Sequence, residues 1–407
     1  MKDNFNKALT TLKKWIRIKS LKSNPIKNAP FGENLALMLE TALKDAENLG
    51  FEVKNYDNYI GEVIYGDGDD KNGVAVLCHL DVVPEGDLSA WEFPPYQPLE
   101  SGHYITGRGS VDNKGAAAIC LYVLKQLKDE GFIPSKKIKL IFGCDEESGW
   151  GCIEHYNKVA VMPKLGFSPD STFPVLYAEK GIFHIKYVFD APNGVEVFGG
   201  ERVNVVCDKA TLKINGKESE FIGKTAHGST PECGDNAIKK ALKVLVEKGL
   251  FNEQTYEFLF NGRLFDKIED ESGKLTFSPN VITTCNGKIE ISVDVRYPVH
   301  YTLQEIEKVV GKVGDFTVLS HKAPLYADKN GWLVQTLSKI YEKHTGQEAT
   351  PLTTGGGTYA RALENGVAFG PMDVDDESCH IPNEKISIKK LEKCFDIYKD
   401  AIKELSK

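Results

Sequence analysis

Nowhere does this 407-residue chain hold the roughly 20 consecutive apolar residues that a membrane-spanning helix requires. The opening stretch MKDNFNKALTTLKKWIRIKS also lacks the unbroken apolar core of a secretory signal. Its Ala8, Leu9, Leu12 and Ile16 stand near helical spacing among lysines and read as an amphipathic surface helix, with an interfacial membrane helix as the weaker alternative. A basic stripe is missing too: 50 Lys and Arg face 58 Asp and Glu, a net charge of −8 with the signs interspersed, which argues against a nucleic-acid partner. The nine cysteines form no CxxC pair, and Cys78, Cys120 and Cys144 sit in apolar stretches, as expected of reduced, buried thiols in the cytoplasm. There is no low-complexity tract and no clear internal repeat, with a relation between the strand-bearing segments before and after His227 as the alternative. The glycine-rich run Thr106 to Gly115 completes neither GxxxxGK[ST] nor GxGxxG, so a nucleotide-dependent dehydrogenase is disfavoured.

What is present is an ordinary globular composition, 41% hydrophobic and 27% charged, on a chain long enough for about two domains. Residues 34–49 and 114–130 carry helical patterns, and short apolar strands are expected at 51–55, 60–65, 74–78 and 137–142. Alternation of this kind predicts an α/β domain of three layers, a mixed sheet with helices on both faces. From about Val175 the texture turns to alternating strands at 183–189, 210–214 and 289–295 around one helix at 234–248, the pattern of an inserted α+β domain. Helices resume at 303–310, 332–345 and 389–405. The expected division is 1–175 with 303–407 as one domain and 176–302 as the insert.

Five short segments carry titratable side chains where chemistry is expected. His79 and Asp81 follow the apolar strand 74–78, and the period of two sets both on one face at its C-terminal end, where ligands gather in open α/β sheets. Asp112 stands in TGRGSVDNKG at a glycine-rich turn before a helix. Asp145, Glu146 and Glu147 crowd beyond the strand 137–142, and adjacent carboxylates call for solvent or a cation. Asp170 lies in GFSPDSTFP and His380 in ESCHIPNE. Singly, each has an ordinary explanation: a strand-end hydrogen bond, a helix cap, an acidic loop, a turn residue, a loop histidine. Together, His79, Asp112, Glu147, Asp170 and His380 supply imidazoles and carboxylates suited to a pair of divalent metals, with one carboxylate bridging. Such a pair activates a water between the metals and polarises a scissile carbonyl, and Glu146 beside a ligand is placed to serve as general acid/base.

In order and content, CHLDVVPEG, GRGSVDNKG, DEESG, SPDSTFP and CHIPNE resemble the dinuclear metallopeptidases that include glutamate carboxypeptidase, aminoacylase and carnosinase-like dipeptidases. The resemblance implies that His79, Glu147, Asp170 and His380 divide between two metals, that Asp112 bridges them, that Asp81 orients His79, and that a cis peptide follows Asp112. Zinc is the first expectation for the metal, with manganese or cobalt as alternatives. It also implies that the insert is a ferredoxin-like lid domain. There GKTAHGSTPECGDNAI offers His227 to steady the oxyanion, while Asn204 and Arg296 hold the substrate's carbonyl and carboxylate. The run TTGGGTYARAL resembles the loop that wraps the substrate's C-terminal end, with Gly355, Gly356 and Thr358 as contacts.

Within the family the likeness runs to the PepV-type dipeptidases, which cleave unblocked dipeptides including β-alanyl ones, because GGERVNVV precedes the His227 motif and SPNVITTCNGKIEISVDVR follows it. The expected function is therefore a metal-dependent dipeptidase with a small-molecule substrate, monomeric by that likeness. A lid of about 125 residues is short for that type and keeps a homodimer as the alternative. Asp373, Asp375, Asp376 and Glu377 are candidates to meet a free N-terminal amine. An N-acyl amino-acid deacylase or carboxypeptidase with the same metal centre is the rival enzyme, and a non-catalytic binding protein on this fold is the rival from another class.

Overall fold

The structure, a computed structural model, describes residues 2–261, 265–373 and 379–407. The chain divides into two compact units, one of residues 1–177, 327–352 and 358–407, the other of 178–326 and 353–357.

The first unit is built on a mixed sheet whose strands run in the spatial order Glu52–Tyr56, Ile60–Tyr65, Ile138–Gly143, Val74–His79, Leu165–Ser168, Asn365–Ala368 and Leu176–Glu179, of which the last belongs to this unit only through Tyr177. The four from Ile138–Gly143 to Asn365–Ala368 are parallel, and antiparallel strands flank them. Val74–His79 and Ile138–Gly143 are buried along their whole length, which explains why they read as unbroken apolar runs rather than alternating ones. Helix Lys114–Asp129 is the crossover between them, and nearly every one of its side chains is buried.

Side chains two apart share a face of a strand, and Ile138–Gly143 shows the layering directly. Phe142 on one face meets Trp15 of helix Lys2–Ile16 edge-on at 5.9 Å. Lys139 on the other reaches the hydroxyl of Tyr156 in helix Gly151–Val159 and pairs at 3.2 Å with the buried Glu62 carboxylate. Helices therefore cover both faces. Trp15 and Ile16 are fully buried, so the amphipathic N-terminal helix spends its apolar face on the domain core.

The second unit is an antiparallel sheet in the order Lys217–Ile222, Lys209–Ile214, Val195–Gly199, Thr276–Cys285, Lys288–Tyr297, Gly181–Asp190 and Phe316–Lys322. Phe183, Ile185 and Tyr187 alternate inward from their strand and share one core with Ile238, Leu242 and Leu245 of helix Ala237–Glu247. The sheet is wider than the ferredoxin-like βαββαβ plan requires. The expected boundary at 302 also moves. Helix Leu303–Val310 buries Ile306 and Val310 in this core, and Phe316–Lys322 pairs with Ile182–Tyr187, so the second unit runs on through Tyr326.

Candidate active site

Three neighbouring parallel strands of the first unit end in acid or imidazole groups: His79 closes Val74–His79, Asp145 to Glu147 follow Ile138–Gly143, and Asp170 follows Leu165–Ser168. This is the carboxyl end of the sheet, where the backbone leaves regular pairing and side chains converge. His79 is fully buried. Its Nδ1 meets the backbone carbonyl of Asp81 at 2.9 Å, an acceptor that requires the proton on Nδ1. Its Nε2 faces Asp112 Oδ1 at 2.7 Å and Asp170 Oδ2 at 3.5 Å, and although burial would lower the imidazole's pKa, the Asp170 and Asp112 carboxylates raise it well above its ordinary value. The Asp81 carboxylate stands 3.5 Å from Nδ1 and accepts the backbone N–H groups of Glu146 at 3.1 Å and Glu147 at 3.0 Å. One side chain thus ties the His79 strand end to the acidic loop.

Asp112 offers its second oxygen, Oδ2, to His380 Nε2 at 2.8 Å, and the same imidazole lies 3.2 Å from Glu147 Oε1. A single carboxylate is therefore flanked by both histidines. His380 holds a φ of +63°, uncommon for a residue with a side chain and found more often at functional sites. The Asp112–Asn113 peptide is cis, as the resemblance implies.

Burial would raise the Asp112 carboxyl, yet the His79 and His380 imidazoles hold it well below the usual carboxylate range. Glu147 goes the other way: burial and then the Asp112 charge push it up to about 7. Burial likewise raises Asp170. His380, which burial would lower, is drawn up to about 12 by Asp112 and Glu147. Carboxylates crowded this way are short of positive charge. Ligand atoms of His79, Asp112 and Glu147 lie within 4.8 Å of one another, and so do those of His79, Glu146 and Asp170. Mixed carboxylate and imidazole donors at this spacing fit divalent cations.

Residues not anticipated as functional hold these groups in place. Asn113 donates from Nδ2 to the Pro169 carbonyl at 2.6 Å and to Asp170 Oδ1 at 3.0 Å, while its Oδ1 accepts the His79 N–H at 3.4 Å. Glu384, fully buried, accepts the N–H of Val111 at 2.8 Å and of Asp112 at 3.3 Å and pairs with Arg108 Nη1 at 2.7 Å. Both Arg108 and Glu384 stand inside quoted motifs, which was the signal available for them. Tyr359, fully buried against Trp150, places its hydroxyl 2.8 Å from Cys152 Sγ beneath the acidic loop.

The remaining expected residues divide between the units. Thr358 belongs to the first and caps a short helical turn by accepting the Ala360 N–H at 3.2 Å. Asn204, His227, Arg296, Gly355 and Gly356 belong to the second. There the Asn204 carbonyl accepts the Gly228 N–H at 2.8 Å, so Asn204 and His227 occupy adjoining turns, and His227 Nδ1 meets the Ser229 hydroxyl at 2.7 Å. Arg296 Nη1 donates to the Gly355 carbonyl at 2.9 Å. Asp373 pairs with Lys390 at 2.9 Å, while Asp375, Asp376 and Glu377 lie outside the described residues.

Residues 75–404 match the profile of peptidase family M20/M25/M40. A Bacillus subtilis (strain 168) relative described as "Putative dipeptidase YtjP" is 34% identical, covering 93% of this chain and 92% of its own. A Staphylococcus epidermidis relative with the same dipeptidase description is 32% identical, over 98% of this chain and 96% of its own. Among solved structures, human carnosine dipeptidase 1 superposes with a TM-score of 0.67 at 16% identity, covering 100% of this chain and 97% of its own. The aminoacylhistidine dipeptidase from Vibrio alginolyticus gives 0.62 at 15% identity, over 98% and 96%. At such identities these structures speak for the fold.

Proposed function

The chain belongs to peptidase family M20/M25/M40 and is a hydrolase of that family, and on that premise we propose that it is a metal-dependent dipeptidase cleaving the peptide bond of unblocked dipeptides. The observation that carries this reading is the Asp112 carboxylate, one oxygen toward each imidazole, with Glu147 beside His380 and Asp170 beside His79. Those five side chains would hold two divalent cations, which supply Lewis-acid polarisation of the scissile carbonyl and a nucleophile at neutral pH. Zinc is the metal proposed, ahead of manganese or cobalt.

The chain's own groups do the rest. Glu146 takes a proton from the attacking water and passes it to the leaving nitrogen. The Asp81 carboxylate fixes the backbone on either side of that task through the Glu146 and Glu147 amides, so the base is held where it is needed. Asn113 keeps Asp170 and the His79 backbone in register. In the second unit, His227 donates to the developing oxyanion and Arg296 receives the substrate carboxylate with Asn204 on the carbonyl, while Gly355 and Gly356 of that unit and Thr358 of the first enclose the C-terminal end. The relatives' descriptions as dipeptidases support the substrate class. A cytoplasmic, monomeric enzyme completes the proposal.

The test is hydrolysis of a panel of free dipeptides and their N-acylated counterparts, before chelation, after it, and after adding back zinc, manganese or cobalt. Loss on chelation and recovery on free dipeptides is the expected result. Turnover confined to N-acyl amino acids would move the assignment to the deacylase, and turnover indifferent to chelation would remove the metals from it.

A further inference from the structure

Arg296 does not stand free to meet a ligand with its whole guanidinium. Its Nε donates to Asp294 Oδ1 at 2.7 Å and its Nη2 to Asp294 Oδ2 at 2.9 Å, a paired fork that fixes the guanidinium plane. Its Nη1 donates to the Gly355 carbonyl at 2.9 Å. Of the five N–H donors of an arginine, three are thereby used, leaving one on Nη1 and one on Nη2. Asp294 is itself fully buried and Arg296 nearly so.

The same carboxylate reaches two further places in the second unit. A Cβ added at Gly228, next to His227, would lie 2.1 Å from Asp294 Oδ2, so the turn carrying His227 rests on this side chain. His184 Nε2 lies 3.4 Å from Asp294 Oδ1, and its Nδ1 is 3.0 Å from the Ser320 hydroxyl. Asp294 is thus the common support of Arg296, of the Gly228 turn and, through Arg296, of the Gly355 carbonyl.

We propose that Asp294 is the positioning residue for recognition of a small peptide's free carboxylate: it aims the remaining Nη edge of Arg296 and seats the His227 turn without touching substrate. The inference rests on the reading that Arg296 receives the substrate carboxylate. It adds that the grip is set by a buried neighbour two residues away and fails when that neighbour loses its charge or its place.

The experiment uses the full-length, metal-loaded enzyme. It measures kcat and KM for a free dipeptide, and the inhibition constant of the same dipeptide amidated at its C-terminus, in the wild type and in Asp294→Asn, Gly228→Ala and Arg296→Lys. Asp294→Asn should raise KM for the free dipeptide about tenfold or more, the sign of lost carboxylate binding, and lower kcat through the loosened His227 turn, while the amidated ligand binds as before. Gly228→Ala displaces the carboxylate without removing its charge and should give the same rise in KM together with a fall in kcat from the shifted His227 turn, which keeps the proposal testable should Asp294→Asn fail to fold. An unchanged KM in either folded variant, or equal weakening of both ligands, overturns the proposal. Arg296→Lys separates the two layers. If it raises KM while the Asp294 and Gly228 variants do not, the carboxylate grip stands and only the positioning role falls. If Arg296→Lys leaves KM unchanged, the grip itself is wrong.

Discussion

Asp112 illustrates how one carboxylate is made to serve two neighbours: its backbone N–H is held by Glu384, leaving both side-chain oxygens to His79 and His380. Glu384 comes from the chain segment that also carries His380, so a single buried side chain sets the distance between two site segments 272 positions apart. Its charge is matched by Arg108, and each of the pair is no more than 1% exposed. Removing one member of such a pair leaves an uncompensated buried charge. Glu384→Gln should therefore destabilise the fold by about 3–5 kcal/mol, read from denaturant unfolding with the first unit's core intact. A change within about 0.5 kcal/mol, the range typical of surface sites, would show that the Arg108 guanidinium is not dependent on Glu384. Asp81 is a second case in which the residue does more than its neighbours in sequence suggest: its carboxylate is spent on the Glu146 and Glu147 amides, and its backbone carbonyl orients His79.

At the level of elements, the site depends on how closely the strands bearing His79 and Asp170 approach. Gly166 lies on Leu165–Ser168 opposite Ala75, and a Cβ there would sit 2.0 Å from the Ala75 carbonyl oxygen, a backbone atom with no freedom to yield. Gly166→Ala must therefore push Leu165–Ser168 away from Val74–His79. Overpacking of this kind costs about 1–3 kcal/mol, and here the cost should come with weakened cation binding, measured by titration of the folded variant with zinc. Stability and zinc affinity both unchanged would contradict the claim that strand spacing sets the separation of His79 and Asp170. Most of these elements were legible beforehand. Helix Lys114–Asp129 and strands Ile60–Tyr65 and Val74–His79 carry their period or their apolar run openly. Phe316–Lys322 was not assigned because it is an edge strand, exposed along most of its length, whose partner strand among the described residues lies some 130 positions back in the chain. The misplaced boundary at 302 follows from that.

Across the whole molecule, what the sequence disclosed and what it withheld divide along a physical line. His79, Asp112, Glu147, Asp170 and His380 announce themselves because each reactive side chain follows a short apolar strand or sits in a compact turn motif. Asn113, Glu384, Arg108 and Asp294 do not, because their work is defined by partners such as the Pro169 carbonyl, the Val111 amide or Gly228, which only folding brings near. The central claim is that the converged groups form a working hydrolytic site in which Glu146 moves the proton and the other five hold the cations. It is tested most directly by comparing Glu146→Gln with the wild type for turnover of a free dipeptide and for bound metal in the same preparation. The account predicts a fall in kcat of about 10²–10⁴-fold, the usual contribution of a general acid/base, with metal content unchanged. Turnover equal to the wild type at full metal content would contradict it.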